Sequence, residues 1–185
     1  MRRVPVLALM VAGLAACAHQ GSFPVSVAPE AANAEHRLAP GERLRITTYG
    51  ETALTGEFAI GAGGELAFPL IGSVPAAGKT PGELGTAIRA ALADGFLSEP
   101  NVSVEVISYR PFYVLGEVNE PGEFPYQPGL TVLAAIARAQ GFTYRARQTA
   151  VFLKRAGEPE EREVTLTSDL VIGPGDIVRI GERYF

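Results

Sequence analysis

The stretch that decides the fold is Phe112-Tyr113-Val114-Leu115-Gly116-Glu117-Val118-Asn119-Glu120-Pro121-Gly122-Glu123-Phe124-Pro125-Tyr126. Phe112 to Val118 is rich in aromatic and β-branched residues and reads as a strand. Asn119-Glu120-Pro121-Gly122 is a turn, because proline presets one turn dihedral and glycine supplies the other. Glu123 to Tyr126 is the returning strand. Immediately downstream, Thr131 caps a helix containing Val132, Leu133, Ile136 and Ala137, which Gly141 closes. Thr149–Lys154 and Glu163–Leu166 are further strands, and Gly175-Asp176 turns the chain into a last one, Ile177 to Ile180. This ββ-α-ββ order, one helix carried by a mixed sheet, predicts a β-grasp-like α+β fold.

Upstream lies a second small module of the same class, with a mixed sheet and one main helix. Leu44, Ile46 and Thr48 alternate with Arg43, Arg45 and Thr47 in strand fashion. Phe58-Ala59-Ile60 and Leu66 to Ile71 are strand-like runs, and the glycine-rich Gly61–Gly64 between them reads as a hairpin turn. Thr80, Pro81 and Glu83 form a capping-box signature at the start of a helix. Leu84, Ile88 and Leu92 recur every four residues on one face of it, with Ala87 and Ala91 beside them, and Gly95 ends it. Val102, Val104 and Val106 then alternate along a strand from Asn101 to Ser108. Ala39-Pro40-Gly41-Glu42 echoes Gly173-Pro174-Gly175-Asp176, which reads as shared turn chemistry rather than as a repeat array.

The N-terminus reads as an export signal over residues 1–16. Arg2 and Arg3 precede an apolar run from Val4 to Ala16 that is too short to span a bilayer, where about 20 residues are needed. Leu14-Ala15-Ala16-Cys17 resembles a bacterial lipobox, so Cys17 is the expected lipid attachment site and the new N-terminus. Residues 17–36, without periodicity, are the expected tether. The whole chain has 185 residues and net charge −4; losing Arg2 and Arg3 leaves 14 basic against 20 acidic residues, or −6. That balance excludes a nucleic-acid partner gripped through phosphates, and one cysteine excludes a disulfide framework.

In their order, these motifs resemble the outer-membrane polysaccharide export family. Residues 37–108 resemble its export domain, through Leu38 to Ile46, Gly64 to Val74, Gly78-Lys79-Thr80 and Pro100 to Val104. Residues 111–185 resemble a soluble-ligand-binding β-grasp (SLBB) domain, through Val114 to Val118, Pro121-Gly122, Gly129 to Val132, Ala137 to Gly141 and Pro174-Gly175-Asp176. The resemblance implies an acylated outer-membrane lipoprotein whose body lies in the periplasm and forms a homo-oligomeric ring that guides capsular or extracellular polysaccharide outward. It further implies an inner-membrane polysaccharide co-polymerase as partner. The chain ends directly after its last strand, without the pore helix of larger members, so a separate outer-membrane pore protein is a further expected partner.

Catalytic readings fare poorly. Gly78-Lys79-Thr80 lacks the upstream glycine of a phosphate loop, Ser73 standing in its place. Glu117, Glu120 and Glu123 are the nearest approach to a glycosidase pair, yet two of them flank a turn where acids are ordinarily solvated. His19 and His36 both fall in the tether, which supports neither a triad nor a zinc site. No enzyme activity and no cofactor are expected. Arg138, Arg145 and Arg147 are candidates for subunit or polymer contact, against the plainer reading of a solvated rim. A monomeric glycan- or ligand-binding lipoprotein is the alternative function. An eight-stranded outer-membrane barrel conflicts with the two capped helices.

Overall fold

The computed structural model describes residues 36–183. The signal segment, Cys17 and the tether up to residue 35 lie outside the described residues. The class is α+β, built around two separate apolar cores.

In the first, β1 (Arg43–Thr48) is the middle strand of an antiparallel sheet, flanked by β2 (Gly56–Ala59) and β5 (Val102–Ser108). Its strict alternation buries Leu44, Ile46 and Thr48 and leaves the arginines outside. The expected hairpin at Gly61–Gly64 is corrected by the structure. The turn exists, closed by Gly61 N–H on the Glu65 carbonyl at 2.8 Å. However, β3 (Glu65–Phe68) does not pair with β2; it pairs with β4 (Gly72–Pro75) in a separate two-stranded sheet. The strand expected from Leu66 to Ile71 stops at Phe68 because Pro69 has no N–H to give the ladder. The chain then reverses through Leu70 and Gly72, both at positive φ (69° and 73°).

Helix α1 (Pro81–Ala93) starts where the capping box places it. Thr80 Oγ1 accepts from Glu83 N–H at 3.1 Å, and Glu83 Oε2 accepts from Thr80 N–H at 2.8 Å. Such a cap is worth about 1 kcal/mol. Leu84, Ile88 and Leu92 are buried, and Gly85 lets the helix lie close to Val104 and the Val102 carbonyl on β5.

The second core belongs to a five-stranded sheet in the order β7-β6-β10-β8-β9. Its strands are β6 (Phe112–Gly116), β7 (Gly122–Phe124), β8 (Ala150–Lys154), β9 (Arg162–Thr165) and β10 (Ile177–Ile180). The mixed character sits here: β10 runs parallel to β6 and antiparallel to β8, whereas every pairing among the named strands of the first module is antiparallel. Helix α2 (Val132–Arg138) covers one face. Val132, Ala135 and Ile136 join Phe112, Val114, Val151, Leu153, Val178 and Ile180 in the core. Leu133 and Ala137 are exposed, because the buried stripe of this short helix runs through 132, 135 and 136. The order is thus ββ-α-βββ, with the last strand inserted in the middle of the sheet.

Candidate functional site

The echo between residues 39–42 and 173–176 is the same turn built twice. Glu42 N–H and Asp176 N–H each reach back to the carbonyl three residues earlier, both at 3.3 Å. Each carboxylate then accepts the N–H of that same earlier residue: Ala39 to Glu42 Oε2 at 3.2 Å, Gly173 to Asp176 Oδ2 at 2.8 Å. Gly41 and Gly175 hold φ of +89° and +86°, which only glycine adopts freely. Both acids are buried, at 0% and 2% exposure, so their oxygens must find donors within the protein.

Arg110, in the Tyr109-Arg110-Pro111 connection, lies between the two turns. Its Nε is 3.6 Å from Glu42 Oε1, and its Nη2 donates to the Pro174 carbonyl at 3.2 Å. The guanidinium lies against Gly175, where a Cβ would sit 3.1 Å from Nη1. Glu42 Oε1 has no hydrogen bond of its own, so its relation to Arg110 is ionic. His36 Nε2 is 2.9 Å from Glu42 Oε2, which takes this histidine out of the tether and into the junction. Its ring meets Tyr109 edge-on at 5.0 Å, and Tyr109 meets Tyr126 at 5.5 Å. One arginine, one histidine and two tyrosines therefore fasten the first module to the second.

Burial first, and then the Glu42 charge, raise the Tyr109 pKa above its ordinary 10.0. Tyr126 is raised by burial and next by Tyr109. A tyrosine whose folded pKa is raised stays neutral while the unfolded chain already ionises. The junction's stability is therefore complete below pH 10 and falls as the pH climbs through the folded values. We expect tyrosinate absorbance to show a late-titrating fraction above pH 10. Tyr109→Phe and Tyr126→Phe should each remove part of it, and an unchanged titration in both would contradict the packing.

The carboxylates weighed for catalysis are dispersed in role. Glu117 accepts a short hydrogen bond from Thr143 Oγ1, Glu120 is exposed in the turn, and Glu123 is exposed on β7 opposite Tyr113. Among the described residues, no group of three His, Cys, Asp or Glu could hold a metal ion.

The candidate arginines also have local partners. Arg138 donates to the Pro125 carbonyl and to Gln127 Oε1, both at 2.7 Å, and so fastens α2 to the loop after β7. Arg145 pairs with Glu182 at 2.8 Å and Arg147 with Glu163 at 2.7 Å, all four side chains staying near half exposed. Arg155 belongs elsewhere, held at 2.7 Å by the buried Asp176. Arg147 lines a surface cleft of about 430 Å³ together with Gln148, Thr149, Glu182 and Arg183. Sequence reasoning missed Glu182 and Arg183 because a long-range pairing brings them to the cleft. Arg147 N–H donates to the Gly181 carbonyl and Arg183 N–H to the Arg145 carbonyl, zipping 145–147 against 181–183.

Residues 30–107 match the family described as polysaccharide biosynthesis/export protein, and residues 111–164 match the SLBB domain. The chain is 38% identical over 119 residues to the exopolysaccharide production protein ExoF of Rhizobium meliloti (strain 1021), an alignment covering 58% of the chain and 28% of that relative. It is 29% identical over 154 residues to the EPS I polysaccharide export outer membrane protein EpsA of Ralstonia nicotianae (strain ATCC BAA-1114 / GMI1000), covering 77% of the chain and 40% of that protein. The protein of that name from Ralstonia solanacearum is 28% identical, over 77% of the chain and 41% of its own length. The chain spans less than half the length of each.

Proposed function

This chain carries a polysaccharide biosynthesis/export domain followed by an SLBB domain, and we propose that it is an outer-membrane-anchored periplasmic component of a machine that exports capsular or extracellular polysaccharide. The observation that carries this reading is the succession of the two domains, matched across 77% of the chain in a relative named as a polysaccharide export outer membrane protein. Among the described residues, no helix is long and apolar enough to cross a membrane. Attachment is assigned to acyl chains on Cys17 on the strength of the lipobox-like Leu14-Ala15-Ala16-Cys17, each buried methylene contributing about 0.8 kcal/mol.

The function is conduction, without bond-making chemistry. A hydrated polymer needs a wide polar passage that one small chain cannot enclose, so copies close into a ring through heterologous contacts. The exposed, paired arginines Arg145 and Arg147 suit either subunit contact or weak polymer contact, since surface ion pairs are worth little and exchange readily. Arg138 is committed to its own loop. An inner-membrane polysaccharide co-polymerase and a separate outer-membrane pore protein complete the proposed route.

Deletion of the gene tests the reading. Polymer should be trapped inside the cell, and Cys17→Ala should release the protein from the membrane fraction and reproduce the defect. Surface polysaccharide at the parental level after deletion would overturn the proposal.

A further inference from the structure

We propose that the end of the first module opposite the junction docks a protein partner that presents a basic face with apolar anchors. The inference rests on the export reading and adds to it the chemistry of one partner. Strand β1 starts at the junction, next to Glu42, and delivers Tyr49 at its other end. Helix α1 starts beside Leu38, whose N–H donates to the Lys79 carbonyl at 2.8 Å, and runs the same way. The segment after α1 then enters β5, where Val102 stands opposite Thr48. Tyr49 N–H donates to the Asn101 carbonyl at 2.9 Å and so joins the two loops into one surface.

That surface exposes aromatic side chains: Tyr49 is 83% exposed and Phe96 is 49% exposed. The Tyr49 loop is stiff. Glu51 N–H donates to the Thr48 carbonyl at 3.1 Å, and Thr55 Oγ1 accepts from Thr48 N–H at 3.0 Å. Tyr49 lines a hollow of about 330 Å³ together with the rest of residues 47–52 and Thr55. A ring held on an ordered loop beside a hollow loses little entropy when a partner covers it. Charge selects the partner. Glu51 and Glu99 lie two residues from either end of the Tyr49–Asn101 hydrogen bond, and Asp94 ends α1. All three are exposed, and none belongs to an ion pair among the described residues. Residues 47–55 and 93–101 contain no lysine or arginine. Of the flanking cations, Arg45 is held by Glu57 at 3.1 Å, which leaves Arg89 on α1 against three carboxylates. Such a rim repels an acidic polymer or an anionic lipid surface. It steers in a cationic protein face, whose apolar residues then cover Tyr49 and Phe96.

The chain contains no tryptophan, so Tyr49→Trp places a single reporter on this surface. The full chain in neutral detergent is titrated with a soluble Lys/Phe peptide, a Glu/Phe peptide, maltotetraose, and phosphatidylglycerol mixed into the micelles. We expect the Lys/Phe peptide alone to shift the Tyr49→Trp emission to the blue, and to leave a Tyr144→Trp reporter on the second module unchanged. Adding Glu51→Gln and Glu99→Gln to Tyr49→Trp should weaken that binding about tenfold, and salt should weaken it further. No shift with the Lys/Phe peptide, or an equal shift with any other probe, overturns the proposal. In the cell, Glu51→Lys, Asp94→Lys and Glu99→Lys combined should trap polymer as deletion does, with the protein still in the membrane fraction. Failure here is separable from failure of the export reading. If deletion traps polymer and the triple variant exports at the parental level, the docking surface alone is wrong. If deletion leaves export intact, the export reading falls and the docking proposal that rests on it falls too.

Discussion

Replacing Gly116 by alanine should strongly destabilise the second module. The glycine ends β6 at φ +84°, and a Cβ built there would stand 2.1 Å from the Ile180 carbonyl oxygen, 3.0 Å from its carbon and 3.2 Å from its nitrogen. These are backbone atoms, so no rotamer change relieves the clash. Nor can β10 retreat, since it lies between β6 and β8 and its Ile180 carbonyl accepts Glu117 N–H at 3.1 Å. The parallel β6–β10 pairing would have to separate, and it carries the inward-facing Val114, Val178 and Ile180. We expect a cost on the order of 4 kcal/mol or more, a large fraction of a small domain's stability of about 5–15 kcal/mol. Gly122→Ala on β7 is the matched control. Nothing lies within 4 Å of its Cβ position, and the change should stay within about 0.5 kcal/mol. Urea unfolding followed by circular dichroism measures both; equal midpoints would refute the clash.

Gly116 also marks the limit of what the sequence reveals. The local grammar was readable: Thr80, Pro81 and Glu83 announce α1, Thr131 announces α2, and the alternation from Arg43 to Thr48 announces β1. Each is a contest among neighbours a few residues apart, where spacing and side-chain chemistry suffice. Which strands become partners is a different matter. Nothing in Ile177 to Ile180 says that it inserts between β6 and β8, and so nothing in Val114-Leu115-Gly116 says that its glycine must pass over the Ile180 carbonyl. For the same reason Gly61–Gly64 could be recognised as a turn but not as a passage between two sheets. The cleft follows the same rule: Arg147 was singled out by its charge, while Arg183 and Glu182 reach it only through the pairing of 145–147 with 181–183.

The duplicated turn shows how one local signal can carry two unequal energies. Asp176→Asn should destabilise strongly, by about 3–5 kcal/mol, although the shape is nearly unchanged. Both carboxylate oxygens of Asp176 are acceptors in use: Oδ1 takes Ala156 N–H at 2.9 Å, and Oδ2 takes Gly173 N–H at 2.8 Å and Arg155 at 2.7 Å. An asparagine amide placed either way turns an NH₂ toward one of these donors, and it strips Arg155 of its counter-ion. At the equivalent position Glu42→Gln should cost less, about 1–3 kcal/mol. Glu42 Oε2 alone accepts, from Ala39 N–H and His36, so a glutamine carbonyl can keep that side. The NH₂ then occupies the place of Oε1, which has no hydrogen bond to lose; the attraction of Arg110 at 3.6 Å is forfeited and a buried donor without an acceptor faces that guanidinium. Denaturant midpoints of the two variants decide the point. Similar losses at both positions would mean that the turn itself, rather than the donors converging on its acid, sets the stability. A large loss at 176 with a small one at 42 would assign the Asp176 carboxylate to holding β10 in register inside its sheet. It would leave the Glu42 copy the lighter task of drawing Arg110 and His36 to the junction between modules.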